Sequence, residues 1–473
     1  MIHLSASISS VLGEAGIKVR PDADPGVWLM FLLPTSLIVS ALKHPVESSL
    51  TFKMCAALSL GLMGTSVIFI VQCTKQKSLS VSRHLQLMPA AVTATVFRFI
   101  FNAGFLSSFI SALISSTCYW HTLVTLLRKL PHSFTVGEVA VVSQAVVLFF
   151  YGAVLSFYST IFQTPTTVSQ ISTIIVQVGL CAVATVILLT HRFKGLREIM
   201  SFYLTATSVL FIFIVVILTT ILRQSPLLWI MEFLLFDDIG RTKMVMYMVI
   251  CTIAAVLAVN YQISGKEKAT PAIRKVFHIF AVAVYLPSLI YQCSLIYLAS
   301  GVLLGIFAML ETIRILNIPP LGGPLQNGFF AYRDEKDSGP VALTPLYLLI
   351  GCSMPLWIHP APCDVVDSAG FNLLPVMSGV LAIGIGDTAA SVVGTKMGKR
   401  FWPGTKKTME GTIGCIISQF IVVYALVCTG FLDANNHDLL KTVVAIIVGS
   451  LVEASTNQID NIVLPLVLFI ILC

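Results

Sequence analysis

The chain has 473 residues, 56% of them hydrophobic and 11% charged, with a net charge of +7 and a mean hydropathy of +0.91. Soluble domains carry about 25% charged residues, so this composition excludes an ordinary soluble globule. The positive surplus is modest and no nucleic-acid motif accompanies it, so no nucleic-acid partner is expected.

Met1–Asp24 is mildly polar and has no apolar core, so no cleaved signal peptide is expected. Apolar stretches follow at Gly26–Leu42, Met54–Gln72 and Asn102–Leu126. Longer uncharged runs then occupy Val139–Phe162, Val168–Thr190, Ile199–Leu222, Met244–Gly265, Val276–Leu310, Val341–Cys363 and Gly411–Phe431. Each reaches the roughly 18–20 apolar residues that a helix needs to cross about 30 Å of hydrocarbon, and Val276–Leu310 has room for two crossings. Shorter candidates lie at Leu373–Gly386, after Lys441 and after Asn461. A bilayer interior satisfies no backbone groups, so the spans are expected to be helical. The fold class expected is all-α: a polytopic transmembrane helical bundle of about 13–15 spans. Eleven cysteines are scattered with no C-x-x-C pair, and are expected to pack as small apolar residues rather than form a zinc site or a disulfide framework. There is no N-x-[ST] sequon.

Polar residues are distributed unevenly along the chain. Up to about residue 240, ionisable groups sit mainly in linkers such as Thr74–His84, Arg128–Gly137 and His191–Arg197, with Arg98 an exception. Beyond Asp237 they also occupy span ends and interiors, where each charge costs about 2.5–3.5 kcal/mol on insertion scales and is usually kept for function. Residues 1–240 are therefore read as a transmembrane scaffold and 241–473 as the part that carries the chemistry.

In chain order, that second part first presents Lys275 and His278, three apart at the start of a span. Glu311 and Arg314 repeat the spacing at a span exit, where an intrahelical ion pair is the plainer account. Arg333, Asp334, Glu335, Lys336 and Asp337 form a charged run of the kind a solvated loop carries. The sequence GDTAASVVGTKMGKRFWPGTKKTMEG (386–411) then follows an uncharged stretch. Gly384 and Gly386 are expected to interrupt the apolar helix, with Asp387 at a position suited to an N-cap or facing a polar site at membrane depth. Gly386, Ala390, Gly394 and Gly398 recur every four residues, the pattern of close helix packing. Lys396, Lys399, Arg400, Lys406 and Lys407 have no acid among them, as in a cytosolic loop under the positive-inside rule. That rule does not explain PGTKKTMEGT. A bend at Pro403-Gly404, hydroxyls at Thr405, Thr408 and Thr412, and two lysines are what a polyphosphate requires. The spacing is not that of a G-x-x-x-x-G-K-[ST] loop. Finally, Glu453 and Asp460 are seven apart, so a continuous helix would carry both on one face, where they could line a cavity.

These segments together resemble the CTP-dependent polyprenol kinases. GDTAASVVGTKMGKRFWPGTKKTMEGT resembles the family signature, and RKVFH, LETIRILNIPPLG, DEKDSGPVALT and EASTNQIDNIVLPL match further blocks in the same order. The blocks lie closer to the members that act on dolichol at the endoplasmic reticulum than to the shorter phytol or diacylglycerol kinases, and the extra spans before residue 240 agree. The N-terminal half matches in hydropathy alone. The resemblance implies transfer of the γ-phosphate of CTP to the terminal hydroxyl of dolichol, giving dolichyl phosphate for N-glycosylation and mannosylation. It implies a CTP-binding loop at 395–410 facing the cytosol, built from Thr395, Lys396, Lys399, Arg400, Trp402, Gly404, Thr405, Lys406, Lys407, Thr408 and Glu410. Lys406 and Lys407 would hold the β- and γ-phosphates, with Lys399 and Arg400 as outer clamps and Trp402 stacked on cytosine or anchored among headgroups. A divalent cation, Mg²⁺ by preference, would bridge phosphate oxygens and carboxylates. Asp387, Glu453 and Asp460 are the metal candidates, and Asp387, Lys406 and Glu410 the catalytic ones. Other CTP-dependent lipid-alcohol kinases, and more distantly lipid transporters, are the alternatives. A cytidylyltransferase is disfavoured by the absence of a P-G-H-G-G-x-x-D-R-x-D block.

Overall fold

The computed structural model describes residues 2–21, 23–76, 79, 83–264, 271–332, 338–363, 373–432 and 436–473. Among them the chain is helical throughout, as its composition demands, and its β structure is one isolated bridge between Phe401 and Thr408. Among the described residues nine helices are long and apolar enough to cross a bilayer, against the larger number expected. The difference lies in shorter apolar helices of 10–17 residues, among them Val27–Lys43, Lys275–Tyr291, Leu343–Trp357 and Asp460–Leu472. Residues 333–337, singled out as a charged run, lie outside the described residues.

Helix starts follow local chemistry. Ser49, Thr167 and Thr408 each accept a backbone N–H of the first turn, and Thr135 and Glu138 form a full capping box at the head of Val136–Phe162. Inside the helices, hydroxyls such as Thr65, Ser66 and Thr93 donate to carbonyls four residues back. That satisfies polar groups which hydrocarbon would leave stranded.

Packing divides the helices by depth. In Leu373–Met397, 67% of the most apolar window is buried inside the protein; in Ile239–Tyr261 none is. The first is the central post and the second presents its apolar side chains to lipid. There are two main apolar cores, and the post runs through the second. One gathers N-terminal helices around Leu62, Phe69, Tyr119 and Val139, and the other gathers Leu289, Met377, Leu381 and Ile446. The Asp460–Leu472 helix joins them, giving Val463, Leu466 and Phe469 to the first and Leu464 and Leu468 to the second.

Because successive helices alternate in direction, polar contacts collect at two ends. At one end Lys129 meets His191 (2.8 Å), Ser338 donates to the His132 carbonyl (2.6 Å), and the 398–408 loop lies. At the other, Gln292 donates to Asp238 (2.6 Å) and Cys293 is joined to Cys363. That disulfide corrects the expectation that the cysteines only pack: two of them, 70 residues apart in sequence, are brought together where consecutive helices turn.

Candidate active site

Asp387 sits just past the middle of the central post and is only 7% exposed. Gly384 and Gly386 do not interrupt the helix as expected. Val380–Asp387 instead forms a π-helical stretch that runs directly into Thr388–Met397, and the Asp387 carboxylate caps no backbone group. The glycines serve close approach: a Cβ on Gly384 would lie 2.4 Å from Val282, and one on Gly386 2.7 Å from the Gln419 amide nitrogen. π-Turns recur at functional sites because the widened turn re-aims the side chains that follow it. Here Asp387 is aimed at the Pro271–Tyr291 helix, where Lys275 donates to its Oδ2 in a short ion pair and His278 Nε2 lies 3.6 Å from the same oxygen. Lys275 and His278 were visible in the sequence as a pair three apart, but nothing there named their partner.

Beyond the post the chain reverses in a short hairpin. Trp402 N–H donates to the Lys407 carbonyl (2.9 Å) and Met409 N–H to the Arg400 carbonyl (2.8 Å). Gly404 turns the tip at φ 74°, a left-handed conformation that glycine adopts without strain. Glu410 braces the base, its Oε2 accepting from the amides of Lys399 (3.1 Å) and Arg400 (3.2 Å). Trp402 turns its indole N–H inward to Thr412 Oγ1 (2.9 Å). Thr395 donates back to the Ser391 carbonyl (2.7 Å), and Thr408 caps the Met409–Cys428 helix by accepting from Gly411 N–H (3.2 Å). Below the hairpin the two helices are in near-backbone contact. A Cβ on Gly411 would meet the Ala390 carbonyl at 2.8 Å, and one on Gly398 would meet Thr408 Cγ2 at 2.6 Å. The stripe of small residues is therefore a packing seam, and the seam fixes where the hairpin sits.

The five cations of this segment part company. Lys396, Lys399, Arg400 and Lys406 are exposed, whereas Lys407 turns inward. Its Nζ lies 2.7 Å from Glu453 Oε1, 3.3 Å from Asp460 Oδ1 and 2.5 Å from the Glu453 carbonyl. Burial works against the Lys407 ammonium, but Asp460 and Glu453 outweigh it and hold its pKa above the ordinary 10.5. Glu453 and Asp460 are not on one continuous helix. The Asn436–Ser455 helix ends between them and Asp460 opens the next, so the two carboxylates reach Lys407 from either side of a break. Asp387 is within electrostatic reach of both Asp460 and Lys407. The result is one polar centre of three carboxylates, two lysines and a histidine, at the inner end of the basic hairpin. Among the described residues no three His, Cys, Asp or Glu side chains are grouped as a ready-made metal site. The carboxylates are the hard oxygen donors that suit Mg²⁺, which commonly takes one or two of them and completes its shell with water and substrate phosphate.

Two further charge clusters lie outside this centre. Arg314 makes a bidentate pair with Glu311 (2.8 and 2.7 Å) and donates to Gln326 (2.6 Å) and the Pro340 carbonyl (2.6 Å), while Glu311 accepts from Ala342 N–H (2.7 Å). The expected ion pair is thus also a clamp on the loop that follows it. The second cluster, around Arg20 and Glu138, comes from the half read as scaffold. Its one sequence signal is the T-x-x-E capping pattern at Thr135–Glu138.

A family model described as dolichol kinase matches residues 117–437. The chain is similar to mouse dolichol kinase, 41% identical over 261 residues that cover 53% of this chain and 48% of that protein. It is similar to Arabidopsis thaliana dolichol kinase EVAN, 36% identical over 259 residues, and to the Saccharomyces cerevisiae dolichol kinase, 28% identical over 254. The matches cover 43% and 45% of those two proteins, so the chain spans about half the length of the curated relatives it matches. No solved structure matches.

Proposed function

The chain belongs to the dolichol kinase family, and from that premise we propose that it transfers the γ-phosphate of CTP to the terminal hydroxyl of dolichol. The observation that carries this reading is the delivery of Lys407 by a basic hairpin to the buried carboxylates Glu453 and Asp460, beside Asp387 of the central membrane helix. Phosphoryl transfer asks for positioning and charge neutralisation more than for covalent chemistry. Exposed Lys406, Lys399, Arg400 and Lys396 supply cations for the triphosphate, with backbone N–H groups near Gly404 and the hydroxyls of Thr405 and Thr395 close by. Trp402 flanks the loop, with its indole nitrogen already committed to Thr412. Lys407 carries charge from the hairpin to the carboxylates, and Glu410 keeps the hairpin closed. Asp387 lies deepest, where a lipid hydroxyl arriving from the bilayer would be oriented, and Lys275 and His278 hold its charge in place. One or two of Asp387, Asp460 and Glu453 would hold a Mg²⁺ ion together with substrate phosphates. Such an ion, when bound, neutralises charge on the transferring group.

The concentration of cations in 396–407 supports a cytosolic hairpin by the positive-inside rule, and the family supports residence in the endoplasmic reticulum membrane. Within this reading residues 241–473 form the kinase domain and residues 1–240 its transmembrane scaffold. The test is purified protein with γ-labelled CTP and either dolichol or a shorter lipid alcohol. Label in dolichyl phosphate is the expected result. Label confined to the shorter alcohol would move the acceptor, and no lipid label would overturn the reading.

A further inference from the structure

Residues 456–459, between Glu453 and Asp460, have no regular structure of their own to fix them, yet both carboxylates meet Lys407. Thr456 N–H still donates to the Val452 carbonyl (3.0 Å) and Gln458 N–H to Thr456 Oγ1 (3.2 Å), but the Asn457 carbonyl, the Gln458 side chain and the Ile459 amide are all held by residues more than 300 positions earlier. Arg20 Nη2 donates to the Asn457 carbonyl (3.0 Å) and to Glu138 Oε1 (2.6 Å), and the same Glu138 oxygen accepts Ile459 N–H (2.9 Å). The other Glu138 oxygen closes the capping box on Thr135 N–H (2.8 Å). Between these anchors, Gln458 accepts from Thr135 Oγ1 (2.6 Å) and donates to the Asp24 carbonyl (2.9 Å). Glu138 is fully buried, Arg20 is 4% exposed and Gln458 is fully buried. Ile459 is the N-cap of the Asp460–Leu472 helix and brings no side-chain cap of its own. Its amide is therefore directed by a carboxylate from another helix, one residue before Asp460.

We propose that Glu138, Arg20 and Gln458 are positioning residues for phosphoryl transfer: they set the 456–459 backbone so that Glu453 and Asp460 converge on Lys407. The N-terminal membrane half then acts on the reaction through this one strap, beyond its packing role. A buried carboxylate is suited to this because it can accept from a guanidinium and two backbone amides at once, which a neutral side chain of the same shape cannot do. The proposal rests on the kinase reading above, so its test includes a readout independent of activity.

The experiment compares the full-length membrane protein with its Glu138→Gln and Gln458→Ala variants. The Gln458→Ala variant leaves the Arg20–Glu138 pair intact and so covers the case in which Glu138→Gln does not accumulate. Lys407 labelling by an amine-reactive probe is read by mass spectrometry against exposed Lys406. Turnover is measured against CTP, Mg²⁺ and dolichol separately. Release of the strap should raise Lys407 labelling several-fold, without a comparable rise at Lys406. It should also lower kcat/KM for CTP or raise the Mg²⁺ requirement by about 10-fold or more, with KM for dolichol unchanged. Folded variants with parental Lys407 labelling would overturn the proposal. So would a uniform loss of active protein with every KM unchanged, since that is a stability effect. If Lys407 labelling rises but wild-type protein phosphorylates no lipid alcohol, the strap stands and the kinase reading falls.

Discussion

Two buried charge clusters lie side by side at one end of this molecule and are built differently. In the Arg20–Glu138 cluster the charged groups meet one another and then backbone: the Asn457 carbonyl and the amides of Ile459 and Thr135. In the Asp387–Lys407 centre the contacts run mainly from side chain to side chain: Lys275, His278, Glu453 and Asp460. Charges tied to backbone fix a fold and have little freedom to change partner. Charges tied to one another can exchange a lysine for a phosphate or a carboxylate for a cation at small cost in fold, which a phosphoryl-transfer site requires. The difference separates the strap from the proposed reaction centre more directly than burial does, since Glu138, Asp387 and Glu453 are all buried.

The comparison can be tested from both sides, and the largest effect belongs to the centre. Asp387→Asn keeps shape and removes the charge that Lys275 and His278 surround. Activity should fall by at least about 10²–10³-fold with the protein still accumulating, checked by γ-phosphate transfer in membranes and by complementation of cells lacking the activity. Near-normal dolichyl phosphate synthesis would remove Asp387 from the site. Next come the two neighbouring lysines. Lys406→Ala should lose about 10²-fold in kcat/KM for CTP with an unchanged melting temperature, whereas Lys407→Ala should lose activity and stability together because it strands Glu453 and Asp460. Equal melting temperatures for the two variants would mean that Lys407 is no more a part of the fold than Lys406.

Arg20→Met carries the contrast into the strap. It leaves Glu138 buried without its guanidinium, and breaking such a pair costs about 3–5 kcal/mol, read as a lowered melting temperature in detergent. Lys407 also predicts a pH response. Its folded pKa is raised, so its stabilising contribution is complete below its ordinary 10.5 and is lost only as pH rises through the raised value. Stability should therefore show no Lys407-dependent step between neutral pH and pH 10, and Lys407→Ala should leave that part of the pH profile parallel to wild type. The smallest effect belongs to the Lys441–Asp438 pair, 3.9 Å apart and partly exposed. Lys441→Ala should shift stability by about 0.3 kcal/mol and leave activity alone.

Much of this was legible in the sequence wherever chemistry is local. Uncharged runs gave the helices, the four-residue stripe from Gly386 to Gly398 gave the packing seam, and PGTKKTMEG gave a turn that presents cations. Pairings across the fold were not legible. Nothing at Lys275 points to Asp387, and nothing in TNQID announces that its backbone is held by Arg20 and Glu138. The π-helical course of Val380–Asp387 was hidden for another reason. Two glycines beside an aspartate suit a broken helix equally well, and the choice is made by Val282 and Gln419 pressing on them from neighbouring helices. Lys406 and Lys407 look alike in sequence, and a hairpin of opposite-facing positions sends one outward and the other in.

That π-helical stretch has a consequence for how the central post tolerates change in length. Up to its first turn the helix must face Leu374, Met377 and Leu381 to the core, and from its last residue onward the same helix must turn Asp387 to Lys275 and Gly394 to Gly411. A uniform α-helix advances about 100° per residue and holds a single phase from end to end. The widened turn is where the two phases are spliced. Insertion of one further residue between Val380 and Ile385, where the widened turn already holds its extra residue, would rotate everything above it by about 100°. Asp387 and the glycine seam would be carried off their partners together, although no residue at the reaction centre had been altered. The polar residues beyond this oily, chemically silent stretch thus set an upper limit on its length.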